Sequence, residues 1–169
     1  MKLDLEFLLR DVLDVAPDLL GCNIVRTFAD NRQKIYKIVE VEAYRGEEDL
    51  ACHANKGRTG RTEIMYHKGG LVYVYLIYGM YWMLNIVCSI AGNPQAVLIR
   101  GIEAYDGPGK LTRELEIDGS FYGEDLTKSQ RIWIERKNDI DLKYISTPRI
   151  NIDYAGPVWS KKKWRFVKK

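Results

Sequence analysis

The sequence predicts an α+β protein: a single domain with a curved, largely antiparallel β-sheet flanked by helices and a protruding β-hairpin. Three observations carry that expectation. Period-2 hydrophobic alternation recurs in short runs bounded by polar or glycine-bearing turns. Helical periodicity is confined to the N-terminus and to one segment that begins at Gly107. Parallel crossovers would need more intervening helices than that, so neighbouring strands are expected to run antiparallel.

Leu5 to Val15 reads as an amphipathic helix with Leu8, Leu9, Val12 and Leu13 on one face. APDLLG reads as a second, short helix, with Pro17 near its first turn and Gly21 at its C-terminal stop. Cys22 to Phe28 and Ile35 to Tyr44 are strands around the polar turn ADNRQ. GEEDLACHANKGRTGR is polar and aperiodic, a long loop with room for a helical turn. Leu71 to Ile77 and Met80 to Cys88 form a hairpin that turns near Tyr78 and Gly79, where glycine permits the tight bend. GNPQ is a turn, AVLIRGIEAY a strand, Gly107 to Ile117 a short helix, and RIWIERK and RINID late strands. With no repeat or low-complexity linker, residues 1–169 are expected to form one domain. Its basic end, 160–169, either joins a phosphate-binding face or frays as a solvated terminus.

A chain that is 46% hydrophobic and 29% charged is globular, neither disordered nor fibrous. No apolar run approaches the roughly 20 residues that a bilayer span needs, so no membrane association is expected. The opening MKLDLEFLLRDVLD is too acidic for a secretory signal. An intracellular protein is expected, in the cytoplasm or nucleoid of a prokaryote or the nucleus of a eukaryote. Cys22, Cys52 and Cys88 are odd in number and widely spaced, which favours buried thiols over a disulfide framework or a zinc site. The formal net charge of +3 is unevenly spread. Residues 1–50 carry 7 basic and 11 acidic side chains, residues 51–100 carry 5 and 1, and SKKKWRFVKK carries six basic residues. Two separated basic segments can form one surface in a fold, as a phosphate-binding protein requires.

In IVEVEAY the alternation puts Glu40, Glu42 and Tyr44 on one face and Val39, Val41 and Ala43 on the other. One reading of that face is two solvated carboxylates on an exposed strand. The other is a cleft, because Tyr44 precedes a basic loop bearing His53, one of only two histidines. A carboxylate, aromatics, a histidine and arginines within one short stretch suit a flat polar ring on a charged backbone. His67, beside Lys68 in a turn, is assigned no role. YVYLIYGMYWMLN places Tyr73, Tyr75, Tyr78 and Tyr81 around Gly79 and Met80, either as core filling or for a surface purpose. Neither a P-loop nor a Rossmann glycine pattern is present. Cys52 and His53 are adjacent, so their side chains point apart and form no dyad. Glu47, Glu48 and Asp49 either hold a divalent metal or form a solvated acidic turn.

The motifs VEVEAYRGEEDLACHA, GRTGRTEIMY, GLVYVYLIYGMYWMLNIV, AVLIRGIE and GPGKLTREL occur in that order. Together they resemble the alkyladenine (3-methyladenine) DNA glycosylase family, over most of the chain from LLGCNIVR to the closing RINID and WRF. The resemblance implies a monofunctional enzyme of base excision repair that uses neither metal nor cofactor. Such an enzyme flips alkylated or deaminated purines (3-methyladenine, 7-methylguanine, hypoxanthine, ethenoadenine) from duplex DNA and hydrolyses the N-glycosidic bond. It implies damaged duplex DNA as the partner, and a monomer is expected. Two rival readings remain: a catalytically silent binder of damaged or single-stranded nucleic acid, and a metal-dependent nuclease using Glu40, Glu42, Glu47, Glu48 and Asp49.

Residue by residue, the resemblance implies Glu42 as the catalytic carboxylate that activates water, with Arg100 helping to hold both. Tyr44 and Tyr75 would stack on the extruded base, His53 would bracket it, and Asn85 and Leu98 would disfavour guanine. Tyr78 would be the wedge left in the duplex, supported by Met80. Arg58, Arg61 and Lys110 are expected phosphate contacts, and Tyr73 and Tyr81 are packing or phosphate contacts. An aromatic–base stack returns about 1–3 kcal/mol against a flipping cost of a few. An electron-rich Tyr44/Tyr75 slot is further expected to favour positively charged alkylpurines. Thr62 and Tyr66 depart from the asparagine and phenylalanine common at those places, which bears on substrate breadth and DNA affinity.

Overall fold

A computed structural model of the protein describes residues 1–136 and 142–169. Among these, the strands are β1 (Asn23–Thr27), β2 (Gln33–Arg45), β3 (Val72–Ile77), β4 (Tyr81–Cys88), β5 (Gln95–Ile102), β6 (Tyr105–Asp106), β7 (Ile132–Glu135), β8 (Tyr144–Thr147) and β9 (Arg165–Lys168). The helices are α1 (Leu5–Leu8), α2 (Val12–Leu19), α3 (Pro108–Glu114) and α4 (Gly156–Trp159). The sheet runs in the order β3-β4-β5-β2-β1-β7, with β6 on β5, β9 on β2 and β8 on β9. Each of these pairings is antiparallel, so the expected α+β class holds.

β2 organises the sheet. Its first part pairs with β1, and its second part is flanked by β5 on one side and β9 on the other. Glu42 therefore lies opposite Leu98 across one ladder and opposite Arg165 across the other. The β2–β5 register shifts at Glu40, a bulge of the kind that bends a strand and re-aims its side chains. The main core joins α2 (Val12, Val15, Ala16, Leu19) to the apolar faces of β1, β2, β4 and β5. A second cluster, with Cys52, Met65, Tyr73 and Val87, packs beneath Tyr44 and Tyr75. All three cysteines are buried thiols.

The β3–β4 hairpin protrudes at its tip, where Tyr78 and Gly79 both have positive φ, 53° and 66°. That is the signature of a type I′ turn, and the Met80 N–H donates to the Ile77 carbonyl at 3.1 Å. Tyr78 is 83% exposed and Met80 64%.

Several local expectations need correction. The predicted helix from Leu5 to Val15 breaks at residues 9–11, because the Asp11 carboxylate accepts the Leu13 N–H and starts a new helix. That helix runs on through Pro17, so APDLLG is its second half. RINID is not a strand. Ile150 sends its N–H to a side-chain carboxylate, and Asp153–Ala155 is a single 3-10 turn. The strands in that region are β8 and β9 instead. β9, within the basic end, pairs with both β2 and β8. Lys137 of RIWIERK lies outside the described residues.

The start of the hairpin depends on one close backbone approach. The Gly69 N–H donates to Ser89 O at 2.8 Å, and the Ser89 N–H donates to Leu8 O at 3.0 Å. A Cβ on Gly69 would lie 2.2 Å from Leu8 O and 3.2 Å from Cys88 Cα. Gly69→Ala is therefore expected to cost at least the ~1–3 kcal/mol typical of overpacking, read from the urea midpoint. An unchanged midpoint would mean that the α1 backbone yields freely.

Candidate active site

Strand periodicity delivers two carboxylates and an aromatic to one face of β2, and the third dimension decides what each does. Glu42 has no solvent exposure. Its Oε1 accepts from Arg100 Nη1 at 3.1 Å and from the Tyr44 hydroxyl at 3.2 Å, and its Oε2 accepts from the Ile150 N–H at 2.7 Å. A buried carboxylate is tolerable only when its lone pairs are satisfied in this way. Burial still dominates and raises its pKa above the ordinary value, opposed by the Arg100 charge and the Ile150 N–H. The reading of two solvated carboxylates therefore fails. Glu40 is also largely buried, accepting from Arg100 Nε at 3.2 Å and from Arg165 Nε at 2.6 Å.

The residues that bond Glu42 (Tyr44, Arg100 and Ile150) also line a cleft of about 730 Å³, together with His53, Tyr75, Tyr78 and Leu98 among others. A smaller recess beneath it adds Asn85, whose side-chain amide donates to Tyr73 O at 3.2 Å. The sheet thus brings the expected pocket residues together, with Tyr78 at one rim. His53 stands edge-on to Tyr75, ring centres 4.5 Å apart, and its Nδ1 is hydrogen-bonded to the Tyr73 hydroxyl at 2.8 Å. Burial, then the Arg61 and Lys56 charges, lowers its pKa to about 4, so the imidazole is neutral near pH 7. Tyr73 is buried, with its pKa pushed up by burial to about 12, which makes it a packing and positioning residue and not a phosphate contact.

Arg61 and Lys110 line the cleft, whereas Arg58 is drawn to Glu63 at 3.0 Å and lies over the Tyr66 ring. Thr62 pins its own loop, donating to Gly57 O at 3.0 Å, and the Tyr66 hydroxyl donates to Glu47 at 2.6 Å. Both departures from the family pattern are thereby engaged within the protein.

Three features escaped sequence reasoning. Asp49, read as part of a solvated or metal-binding turn, is fully buried and paired in two places with Arg149, at 2.6 and 2.9 Å. With Asp49 given to Arg149 and Glu40 and Glu42 given to Arg100, the acidic residues of the nuclease reading do not converge. The Arg149 guanidinium lies 4.9 Å from the Tyr44 ring centre, and that of Arg61 lies 4.8 Å from the Tyr75 centre. Each ring of the slot thus has a guanidinium beside it, that of Arg149 compensated by Asp49 and that of Arg61 lining the cleft. Tyr154, 71% exposed, lies at the mouth of both cavities and donates to Ala51 O at 3.3 Å. No sequence signal singled it out.

Against this geometry, the chain matches the family model described as methylpurine-DNA glycosylase, over residues 6–106 and 103–169. A protein of Natranaerobius thermophilus, provisionally named 3-methyladenine DNA glycosylase, is 41% identical across 98% of this chain and 94% of its own length. Proteins with the same provisional name from Borreliella afzelii and Legionella pneumophila are 43% and 41% identical, across 97% and 98% of this chain and 94% and 93% of their own lengths.

The Asp49–Arg149 pair backs the Tyr44 wall, and removing one member strands a buried charge. Asp49→Ala is expected to cost about 3–5 kcal/mol in urea unfolding, with part recovered in Asp49→Ala/Arg149→Met. Equal losses in the single and double variants would show that packing alone, not charge pairing, holds this wall.

Proposed function

The chain belongs to the methylpurine-DNA glycosylase family and is a DNA-repair hydrolase of the N-glycosidic bond, and we propose a specific division of labour for its residues. The substrate is duplex DNA carrying an alkylated or deaminated purine, of the 3-methyladenine, 7-methylguanine, hypoxanthine and ethenoadenine class. The enzyme acts as a monomer, in the cytoplasm or nucleoid of a prokaryote or the nucleus of a eukaryote. The observation that carries the reading is Glu42: a buried carboxylate bound by Arg100, Tyr44 and the Ile150 N–H, three residues that themselves line an aromatic cleft.

The damaged nucleotide swings into the cleft while Tyr78 fills its place in the stack and Met80 supports the wedge. Wedge insertion and aromatic stacking offset the unstacking cost. Tyr44 and Tyr75 stack on the base, His53 packs at its edge as a neutral ring, and Asn85, against the 2-amino position, and Leu98, in the wall, disfavour unmodified guanine. Arg61 and Lys110 hold phosphates, with Arg58 nearby in the same loop as Arg61. The Glu42 carboxylate accepts a proton from water as the water oxygen bonds to C1′. The C1′–N9 bond breaks, its electron pair leaves with the purine, and an abasic sugar remains. Arg100 keeps Glu42 oriented, and the carboxylate charge stabilises the oxocarbenium-like sugar. No lysine is assigned a Schiff-base role, so the strand is not cut.

Base release from a duplex carrying one hypoxanthine, with EDTA present, tests this. Wild type is expected to leave alkali-labile abasic sites. Glu42→Gln should lose at least the 10²–10⁴-fold typical of general-base removal while still binding. Turnover retained by Glu42→Gln would remove the carboxylate from its role, and silence of wild type on both hypoxanthine and methylated duplexes would make the chain a binder only. Tyr78→Ala is expected to weaken capture of paired lesions more than of single-stranded ones; equal loss would argue against a wedge.

A further inference from the structure

Glu40 has no part in the reaction just described, yet its carboxylate accepts from two arginines. Arg100 donates with Nε to Glu40 Oε1 at 3.2 Å and with Nη1 to Glu42 Oε1 at 3.1 Å, so one guanidinium serves two carboxylates. Arg165, on β9, donates from its Nε to the same Glu40 oxygen at 2.6 Å. The four side chains form a row of alternating charge, Glu42–Arg100–Glu40–Arg165, with exposure rising from none at Glu42 to about a quarter at Arg165.

We propose that Glu40 and Arg165 are positioning residues that set the proton affinity of Glu42 by deciding how far Arg100 is committed to it. The inference rests on the role given to Glu42 above. Other groups face Glu42: the Tyr44 hydroxyl from β2, Tyr75 from β3, Arg100 from β5, Tyr154 from the 3-10 turn, and the Ile150 N–H. Arg149, on the loop after β8, is compensated by its two bonds to Asp49. Arg165 lies opposite Glu42 in the β2–β9 register but gives its Nε to Glu40, and neither Glu40 nor Arg165 has a hydrogen bond to Glu42 among those of the described residues.

The two residues must then act with opposite signs. Loss of the Glu40 charge removes a like charge near Glu42 and frees Arg100 for it, and both effects favour the carboxylate form. Loss of the Arg165 charge leaves Glu40 to draw on Arg100 alone and removes a cation, and both effects favour the protonated form. A generic loosening of the site would move the two variants the same way.

The test is a ¹³C NMR titration of the glutamate-labelled protein, with the Glu42 carboxyl signal identified by its loss in Glu42→Gln. Glu40→Gln should lower the Glu42 midpoint and Arg165→Gln should raise it, each by about one unit. Arg165→Lys, which keeps the charge and the strand, should return close to wild type. At the pH where wild type runs at half its plateau, hypoxanthine excision by Arg165→Gln should run at about one-eleventh of its own plateau, and Glu40→Gln should approach its plateau. Midpoints that move together, or do not move, overturn the proposal. If the midpoints move apart but the rates do not follow, the tuning stands and the catalytic role of Glu42 falls.

Discussion

A carboxylate removed from water is the constraint around which this fold is arranged. Glu42 has no exposure, and each of its bonds comes from a different part of the chain: Tyr44 beside it, Arg100 across β5, and Ile150 more than a hundred residues on. Without them, the charged form would be prohibitively costly to bury. The irregular path after β8 follows from this. Ile150 cannot join a ladder because its N–H is committed to a side chain, and the chain turns at once into the 3-10 turn that carries Tyr154 to the cleft mouth. The C-terminal strand is held to the same point from the other side, with Arg165 in register with Glu42.

Rigidity and exposure are divided along the cleft. The floor and walls are buried and hydrogen-bonded, with His53 fixed against Tyr73 and Tyr44 backed by a neutralised guanidinium. The rim is the reverse. Tyr78 holds a left-handed backbone that costs a non-glycine residue on the order of 1–3 kcal/mol, and presents its ring almost wholly to solvent. Neither feature improves the free protein, and both suit an aromatic that is buried only when DNA is bound. On the proposed division of labour, chemistry is preorganised around Glu42, while recognition is left to a strained and exposed tip.

Much of this was legible in the sequence, because it depends on local period. Alternation alone placed Glu40, Glu42 and Tyr44 on one face, and the glycine after Tyr78 marked the hairpin tip. The family resemblance added Arg100, Tyr75 and Asn85, and the sheet gathers them into one cleft and its recess. What stayed hidden is what sequence separation hides. Asp49 looked like one of three consecutive acids until Arg149, 100 residues away, took it out of solvent. That Arg149 and Arg61 lie beside the two slot rings was likewise invisible in the sequence. The N-terminal apolar stripe continued through a break that one aspartate cap imposes, and β8 and β9 are too short to stand out by pattern.

The most direct test of the account is the pH dependence of single-turnover hypoxanthine excision. A base must be ionised to accept a proton, so the rate should rise with pH through the folded-state pKa of Glu42. Burial outweighs Arg100 in setting that pKa, so the acid limb should have its midpoint above the ~4.3 of an ordinary glutamate, and it should be missing from the residual rate of Glu42→Gln. A midpoint at or below the ordinary value, or the same limb in Glu42→Gln, would contradict the claim that this buried carboxylate drives the reaction.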